Sequence, residues 1–346
     1  MLKLREFGII RGSHLIVGPL ELSVSSGRIV TLMGPSGIGK TTLLLALLGF
    51  HEEGISTSGN RYFRDTRLAA GQILPKALYI PQTMPFNPNW EIGRFLCKLP
   101  FDTPPTPRGA PRNNKKQRVA EVLESLNLGH RFNATVGELS GGEVQRAALA
   151  QAILLKPAVL VGDEFVSALD PGMTLWVLEQ CRTMVDDFQG IAVLALHDVN
   201  AALLVSDSIV VLVPREDRVS TFSLSKESSA WRPDVIHTYL VLLRLASQKA
   251  TSDSQCVVEM FSQYIQQPEL FLKSHSMGNA VRTYMITRSG QTVIESHAES
   301  RLLGARRGPG SKYVTPIEGL LGSKEVIGFT IPFEENGLVS FVAERE

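Results

Sequence analysis

The sequence predicts an α/β fold with a largely parallel sheet, followed by a small α+β domain. Continuous aliphatic runs at residues 29–33, 158–161 and 191–196 are typical of strands that are covered on both faces. Helical patterns separate these runs, which is the order expected when parallel strands alternate with helices. The chain has 346 residues, more than one ordinary domain usually holds, so we expect a second domain after the sheet.

Shorter apolar stretches precede the first long run, at residues 2–7, 15–17 and 20–24. Their length and spacing predict strands, and we expect these strands to be antiparallel. Residues 41–48 carry a helical pattern that stops at Gly49, a residue type favoured where helices end. A helix is therefore expected directly after the first buried strand.

Composition and charge exclude several classes of protein. Hydrophobic residues make up 44% of the chain and charged residues 20%, which is typical of a globular protein with a sizeable core. The 35 Lys and Arg residues nearly balance the 34 Asp and Glu residues, so no basic field for nucleic acid is expected. Cys97, Cys181 and Cys256 lack metal-ligand or CxxC spacing, so neither a zinc site nor a disulfide framework is expected. We expect no secretory signal and no membrane span, because no apolar run approaches ~18 to 20 residues.

A phosphate-binding loop is predicted between the first buried strand and its helix. The segment GPSGIGKT at residues 34–41 satisfies the pattern GxxxxGK followed by Ser or Thr, which is typical of P-loop NTPases. Its small residues allow backbone N–H groups to point at phosphates, and the helix N-terminus adds partial positive charge. Lys40 is expected to bridge the β- and γ-phosphates, and the Thr41 hydroxyl to bind Mg²⁺. The predicted nucleotide-binding residues of this segment are Gly34, Pro35, Ser36, Gly37, Ile38, Gly39, Lys40, Thr41 and Thr42.

An acidic pair follows the buried run at residues 158–161. Asp163 and Glu164 come after Gly162, at the carboxyl end of the predicted strand. Open α/β sheets bind their ligands at that edge, which favours a catalytic role for the pair. Two surface acids at the start of a loop are the alternative.

Residues 139–146, LSGGEVQR, form the most specific motif of the chain. Ser140 is predicted to cap a helix, and Glu143 three residues later completes a capping box. The glycines beside that helix N-terminus leave N–H donors for an anion, although a plain capping box predicts the same local geometry. The motif resembles the signature sequence of the ATP-binding-cassette (ABC) family. The resemblance covers about residues 1–215 and is closest to the single-cassette ATPases of bacterial importers.

The resemblance implies a fold and an assembly. It implies a P-loop NTPase with a RecA-like core sheet, an antiparallel β subdomain and a helical subdomain at about residues 83–137. It also implies that Ser140, Gly141 and Gly142 contact the γ-phosphate of ATP held by another cassette, so that two cassettes form a head-to-tail dimer. Residues 167–170, SALD, resemble the loop that crosses the dimer interface in this family.

The resemblance further implies roles for four side chains. Asp163 resembles the residue that binds Mg²⁺, through a water, and Glu164 resembles the base that polarises the attacking water. Gln82 resembles the glutamine that binds Mg²⁺ and senses the membrane partner, and His197 resembles the histidine that hydrogen-bonds the γ-phosphate. One departure is Phe165, because the family usually has Pro at that position.

Two further surfaces are left open by the sequence. Family members usually stack an aromatic side chain on adenine, but the matching position is Arg11. Arg11 or the nearby His14 stacks on the base, or neither contacts it. An aromatic cluster either receives a helix of a membrane partner or belongs to the core, and its residues are Met84, Phe86, Trp90 and Phe95.

The resemblance implies that the chain is the ATPase subunit of an ABC transporter, most similar to those of importers. The implied cofactors are ATP and Mg²⁺. Implied partners are polytopic transmembrane permease subunits, a second copy or another cassette, and a substrate-binding protein, with no nucleic acid. The implied location is peripheral, on the cytoplasmic face of the inner membrane. The alternative is a cassette ATPase that acts on nucleic acid or ribosomes, but the sequence lacks the second cassette, coiled-coil insertion or zinc cysteines usual there.

The sequence predicts three regions along the chain: the cassette at residues 1–215, a polar linker at residues 216–230, and an α+β domain at residues 231–346. The last region has no assignable motif, and a regulatory role is the default hypothesis. Helices are predicted there at residues 235–246 and 257–265. A hairpin is predicted at residues 283–294, and further strands at residues 326–331 and 338–342.

Overall fold

A computed structural model of the chain describes residues 1–102, 114–215 and 218–228, single positions between 231 and 262, and five strand segments between 281 and 344. It contains two compact units, which we describe separately. The first unit comprises Met1–Leu32 and Gly39–Asp207, and the second comprises Met33–Ile38 and Ser208–Glu346.

The first unit combines strands with helices, and the two alternate only from α4 onwards. Its strands are β1 (Leu2–Arg11), β2 (His14–Val24), β3 (Arg28–Met33), β4 (Ile55–Phe63), β5 (Thr66–Leu68), β6 (Ala77–Ile80), β7 (Val159–Asp163) and β8 (Ile191–Ala195). Its helices are α1 (Lys40–Leu48), α2 (Ile92–Lys98), α3 (Asn114–Ser125), α4 (Gly141–Leu155), α5 (Pro171–Phe188) and α6 (Val199–Val205), with 3-10 turns at Gly129–Arg131 and Val136–Glu138.

The N-terminal strands are antiparallel. β1 pairs with β2 on one side and with β4 on the other, and β5 extends the group beyond β4. A bulge in β1 shifts its register with β4 between Arg5 and Gly8. Gly59 of β4 allows this bulge, because a Cβ at that position would lie 2.2 Å from the Glu6 carbonyl oxygen. The prediction of antiparallel strands before the phosphate loop is confirmed.

Four strands form the parallel part of the fold, in the order β3-β8-β7-β6. Every residue of β7 and of β8 is buried, as expected for central strands covered on both faces. Parallel pairing brings the carboxyl ends of all four strands to one edge. Gln82, Asp163 and His197 follow or end β6, β7 and β8, so they lie along that edge.

Local capping sets the helix ends that matter for the site. The predicted helix after the phosphate loop is confirmed as α1, and Gly49 ends it in a left-handed conformation with its N–H bonded to the Leu45 and Ala46 carbonyls. Ser140 caps α4 by accepting from the Glu143 N–H, which confirms the predicted capping box. Asp198 caps α6 by accepting from the Ala201 N–H.

A cluster of charged side chains ties α5 to the beginning of β3. The Asp207 carboxylate accepts from the Ile29 N–H at 2.8 Å, from Arg28 Nη1 at 2.6 Å and from Arg182 Nη1 at 2.9 Å. Arg182 also donates to the Gly27 carbonyl. Burial disfavours ionisation of Asp207, but these hydrogen bonds outweigh it and keep the pKa of Asp207 below its usual value.

We expect Asp207→Asn to lower the free energy of unfolding by about 2 kcal/mol at neutral pH, because hydrogen bonds to a charged group are lost. A carboxylate with a depressed pKa stabilises the fold above its unfolded pKa of about 3.9, and this stabilisation is lost as the pH falls through the folded value. Denaturant unfolding should therefore show a difference in the free energy of unfolding between wild type and variant, and this difference should become smaller below that pH. Asp187→Asn, at an exposed position of α5, is the matched control. An equal loss of unfolding free energy in Asp207→Asn and in Asp187→Asn, each relative to wild type, would contradict the assigned role of Asp207.

The second unit begins with the phosphate loop and continues in a hairpin. β9 (Ser208–Pro214) pairs in antiparallel register with β10 (Val219–Ser225). The prediction of a linker at residues 216–230 is therefore wrong for the part of this segment that forms β10. Phe222 and Leu224 are buried while Ser223 and Ser225 are exposed, and this period-two pattern is hidden in a serine-rich composition.

The C-terminal part of the second unit contains a five-stranded sheet. Its strands are β11 (Val281–Ile286), β12 (Thr292–His297), β13 (Thr315–Leu321), β14 (Lys324–Phe333) and β15 (Gly337–Glu344), in the order β12-β11-β15-β14-β13. The predicted hairpin is confirmed by the antiparallel pairing of β11 with β12, and the predicted strands at 326–331 and 338–342 are confirmed by β14 and β15.

The predicted helices of the C-terminal region fall largely outside the described residues. Single positions between 233 and 243 are helical, as is position 262. Within the described parts of the chain, no helix is both long enough and apolar enough to span a bilayer.

Candidate nucleotide-binding site

The phosphate loop has the backbone conformation that its glycines permit. Gly37 and Gly39 adopt φ angles of 77° and 104°, in the left-handed region that favours glycine. Gly39 is the N-cap of α1 and has no side chain that could accept from the first-turn N–H groups. These N–H groups and the positive end of the helix dipole therefore suit an anion. Lys40 and Thr41 occupy the first turn of α1.

Three predicted site residues meet at one carboxylate. Glu164 Oε1 lies 2.6 Å from His197 Nε2 and 3.6 Å from Lys40 Nζ. The Lys40 side chain is only 4% exposed. Burial lowers the pKa of Lys40, while the neighbouring Glu164 and Asp163 carboxylates oppose that shift. The structure thus brings together Lys40, Glu164 and His197, which are distant in sequence.

Glu164 owes its position to an unusual local backbone. Its φ of 48° is left-handed, which is uncommon for a residue with a side chain. The next residue, Phe165, is fully buried, and a Cβ on Gly162 would lie 2.6 Å from the Phe165 ring. Proline at position 165 would disfavour helical backbone angles at the residue before it. The departure at Phe165 is therefore accommodated by Gly162, which leaves room for the Phe165 ring.

Asp163 is the buried acid of the site. The Tyr79 hydroxyl donates to Asp163 Oδ2 at 3.2 Å, whereas Asp163 Oδ1 is buried without a hydrogen-bond partner among the described residues. Burial raises the pKa of Tyr79 above its usual value, and the Asp163 charge adds to that shift. Tyr79 was not predicted from the sequence as a site residue. The one feature that could have indicated it is its position on β6, the strand that pairs with β7 next to the acidic pair.

The predicted magnesium ligands are oxygen donors, the type that Mg²⁺ prefers. Ile80 pairs with Gly162, so the chain leaves β6 for Gln82 at the edge where Asp163 ends β7. Thr41 is exposed on the first turn of α1, and Gln82 is also exposed. The unpartnered Asp163 Oδ1 fits a metal ion or a metal-bound water, because a buried carboxylate oxygen is costly to leave unsatisfied.

The signature segment is held by a second charged cluster. Glu143 Oε2 accepts from the Ser140 N–H at 2.8 Å, and Glu143 Oε1 accepts from Arg131 Nε at 2.8 Å. The pKa of Glu143 is lowered to about 2, and the hydrogen bond from the Ser140 N–H is the largest cause. Burial opposes this shift, and Arg131 adds to it. Arg131 was not predicted from the sequence. Within the described residues, the hydrogen bonds of Ser140 are to Glu143 and Val144 of its own helix.

Residues 167–170, which resemble the interface loop of the family, border a cavity of about 480 Å³ beside Glu164 and His197. Leu169 and Leu175 contribute apolar surface to this cavity. At the far end of β1, Arg11 lies opposite His14 across a two-residue turn, and both side chains are exposed. Which of them, if either, stacks on adenine stays a prediction.

Comparison with known proteins shows which family and which folds this chain resembles. Residues 17–167 match the ABC transporter family. The fold also matches a nucleotide-free ATP-binding cassette from an ABC transporter, with a TM-score of 0.52 at 18% identity, over 66% of this chain and 92% of that chain. A dimeric cassette in a post-hydrolysis state, bound to ADP and phosphate, matches with a TM-score of 0.52 at 22% identity, over 66% of this chain and 99% of that chain. The chain therefore has the fold of these cassettes, which is a P-loop NTPase fold.

Two curated relatives are import ATP-binding proteins. The Fe(3+) ions import ATP-binding protein FbpC of Photorhabdus laumondii is 32% identical over 206 residues, which are 58% of this chain and 55% of the relative. The protein of the same name in Vibrio cholerae is 31% identical over 208 residues, with the same coverage. The match thus spans about half the length of these relatives. The region of this chain that matches, 58% of its length, is similar to the cassettes of these ATP-binding proteins.

Proposed function

We propose that this chain is the ATP-hydrolysing subunit of an ABC importer. The observation that carries the proposal is the meeting of Lys40 and His197 at the Glu164 carboxylate, beside a buried Asp163 with one unpartnered oxygen. These residues would supply the phosphate-binding, metal-binding and general-base groups that the proposed ATPase needs. The relatives named as import proteins support the direction of transport.

The proposed chemistry is an in-line attack of water on the γ-phosphate. The phosphate loop and Lys40 hold the triphosphate, and His197 binds the γ-phosphate while it orients Glu164. Glu164 accepts a hydrogen bond from the attacking water and takes up its proton. Thr41, Gln82 and Asp163 would hold Mg²⁺, which when bound neutralises phosphate charge.

The proposed working unit contains two cassettes. Ser140, Gly141 and Gly142 sit at the capped N-terminus of α4, and Ser140 and Gly141 are exposed. A capped helix N-terminus with adjacent glycines can donate N–H groups to a phosphate. Because this helix N-terminus is exposed, we propose that Ser140 serves ATP held by a second copy, in a head-to-tail dimer.

The proposed partner surface lies in the segment before α2 and on α2 itself. Phe95 contacts Phe86 and Trp90, with ring centroids 5.2 Å and 5.1 Å apart, and Trp90 remains 46% exposed. We propose that this aromatic cluster binds a polytopic permease subunit, which would hold the chain peripherally at the cytoplasmic face of the inner membrane. The division into a cassette at residues 1–215 and a regulatory α+β domain at residues 231–346 is part of the proposal, as is a substrate-binding protein as a further partner.

Affinity capture of the tagged full chain from a detergent extract tests this function. A co-purifying polytopic membrane protein, together with magnesium-dependent ATP hydrolysis, is the expected result. Trp90→Ala should reduce the captured membrane protein, whereas Trp176→Ala on α5 serves as the matched control. Capture of nucleic acid or ribosomes, with no membrane protein, would instead support the non-transport alternative.

A further inference from the structure

Tyr79 and Asp163 lie side by side at the carboxyl edge of the parallel strands. β6 and β7 pair with Tyr79 opposite Val161. Residues two apart on a strand share a face, so Asp163 lies on the same face of the sheet as Tyr79. The Tyr79 hydroxyl reaches Asp163 Oδ2 at 3.2 Å from this diagonal position.

The two oxygens of Asp163 have different surroundings. Oδ2 accepts from Tyr79, whereas Oδ1 is buried and has no hydrogen-bond partner within the described part of the chain. The whole Asp163 residue is only 4% exposed. Buried polar atoms are nearly always hydrogen-bonded, so an unpartnered oxygen next to a partnered one marks the position of a ligand atom.

We propose that Tyr79 is a positioning residue for magnesium binding, and this inference rests on the proposed ATPase function. The phenol engages one carboxylate oxygen and limits rotation of the Asp163 side chain. The other oxygen is thereby held available for Mg²⁺ or for a water bound to it. Groups that hydrogen-bond a metal ligand in this way orient it and commonly contribute about 10-fold or more to metal affinity.

A purely structural role makes a different prediction. If Tyr79 only satisfied a buried carboxylate, loss of its hydroxyl would weaken the fold and would affect ATP binding equally with and without Mg²⁺. If Tyr79 positions Asp163 for the metal, the loss appears only when Mg²⁺ takes part. Nucleotide binding measured with and without the metal separates the two roles without reference to turnover.

The test compares the full-length Tyr79→Phe variant with wild type. ATP affinity is measured by equilibrium binding in EDTA and across a Mg²⁺ titration, and Mn²⁺ binding in the presence of ATP is followed by electron paramagnetic resonance. We expect about 10-fold more metal to be required by the variant, with ATP affinity in EDTA unchanged. Tyr62→Phe removes a hydroxyl from β4, away from the site, and should match wild type in both measurements.

Each outcome bears on the inference. An unchanged metal requirement, or an equal loss of ATP affinity in EDTA, would overturn it, and thermal unfolding of both variants shows whether the fold is kept. If wild type hydrolyses ATP with Mg²⁺ and Tyr79→Phe has the same metal requirement as wild type, only the role of Tyr79 is overturned. A wild-type chain without magnesium-dependent hydrolysis would overturn the proposed function itself.

Discussion

Glu164→Gln is expected to lower ATP turnover by about 10³-fold while ATP still binds, because a positioned general base contributes about 10² to 10⁴ in rate. Glutamine keeps the size of the side chain and can still bond to His197, but it cannot take up a proton from water. The negative charge beside Lys40 is also removed, so binding of the triphosphate should be no weaker. Steady-state hydrolysis and equilibrium ATP binding measure the two effects separately.

The same substitution should trap the proposed dimer. If ATP is bound but not hydrolysed, the closed pair of cassettes accumulates, and analytical ultracentrifugation with saturating ATP should show a dimer. Glu179→Gln, the same change at an exposed position of α5, should leave turnover and mass as in wild type. A monomeric Glu164→Gln variant at saturating ATP would count against the head-to-tail arrangement, and wild-type turnover would remove Glu164 from the role of base.

Ser140→Arg is expected to abolish hydrolysis without preventing ATP binding to the single chain. The long cationic side chain would fill the space in front of the α4 N-terminus. In the proposed dimer, this space holds the γ-phosphate of the ATP that is bound to the other copy. Substitution also removes the cap, which costs about 1 kcal/mol and has to be separated from the loss of contact. Thr135→Arg, in the capping box of the 3-10 turn Val136–Glu138, removes a comparable cap and should keep turnover.

Mixing variants shows whether Ser140 acts on the partner's nucleotide. Lys40→Ala should be inactive alone, as should Ser140→Arg. In a mixed dimer, the intact Lys40 of one copy meets the intact Ser140 of the other at one of the two sites. Measurable turnover is therefore expected only after mixing. Two inactive variants that stay inactive when mixed would contradict a shared site.

Local patterns explain why much of the fold was predictable. Gly49 ends α1 and Ser140 begins α4 through bonds within a few residues, so the sequence carries these signals directly. Continuous aliphatic runs likewise indicated the fully buried β7 and β8. β10 was missed because its buried Phe222 and Leu224 alternate with serines typical of a linker.

Contacts between distant segments were not predictable in the same way. Tyr79 and Asp163 are 84 positions apart, and they meet only because β6 and β7 are neighbours. Arg28 and Asp207 are 179 positions apart, and no sequence pattern connects them. The motifs therefore indicated which residues form the candidate site, but not which side chains hold those residues in place. The roles of the motif residues in ATP hydrolysis stay predictions until the variants are measured.

The ion pair of Lys40 with Glu164 has a consequence for selectivity. A lone inorganic phosphate would exchange one anion for another at this lysine, and the displaced Glu164 carboxylate would keep only its contact with His197. A nucleoside triphosphate also engages the amide groups of the loop and the start of α1, and these contacts offset that loss. The chain should therefore discriminate strongly against small oxyanions from the surrounding medium, even where they are far more abundant than the nucleotide.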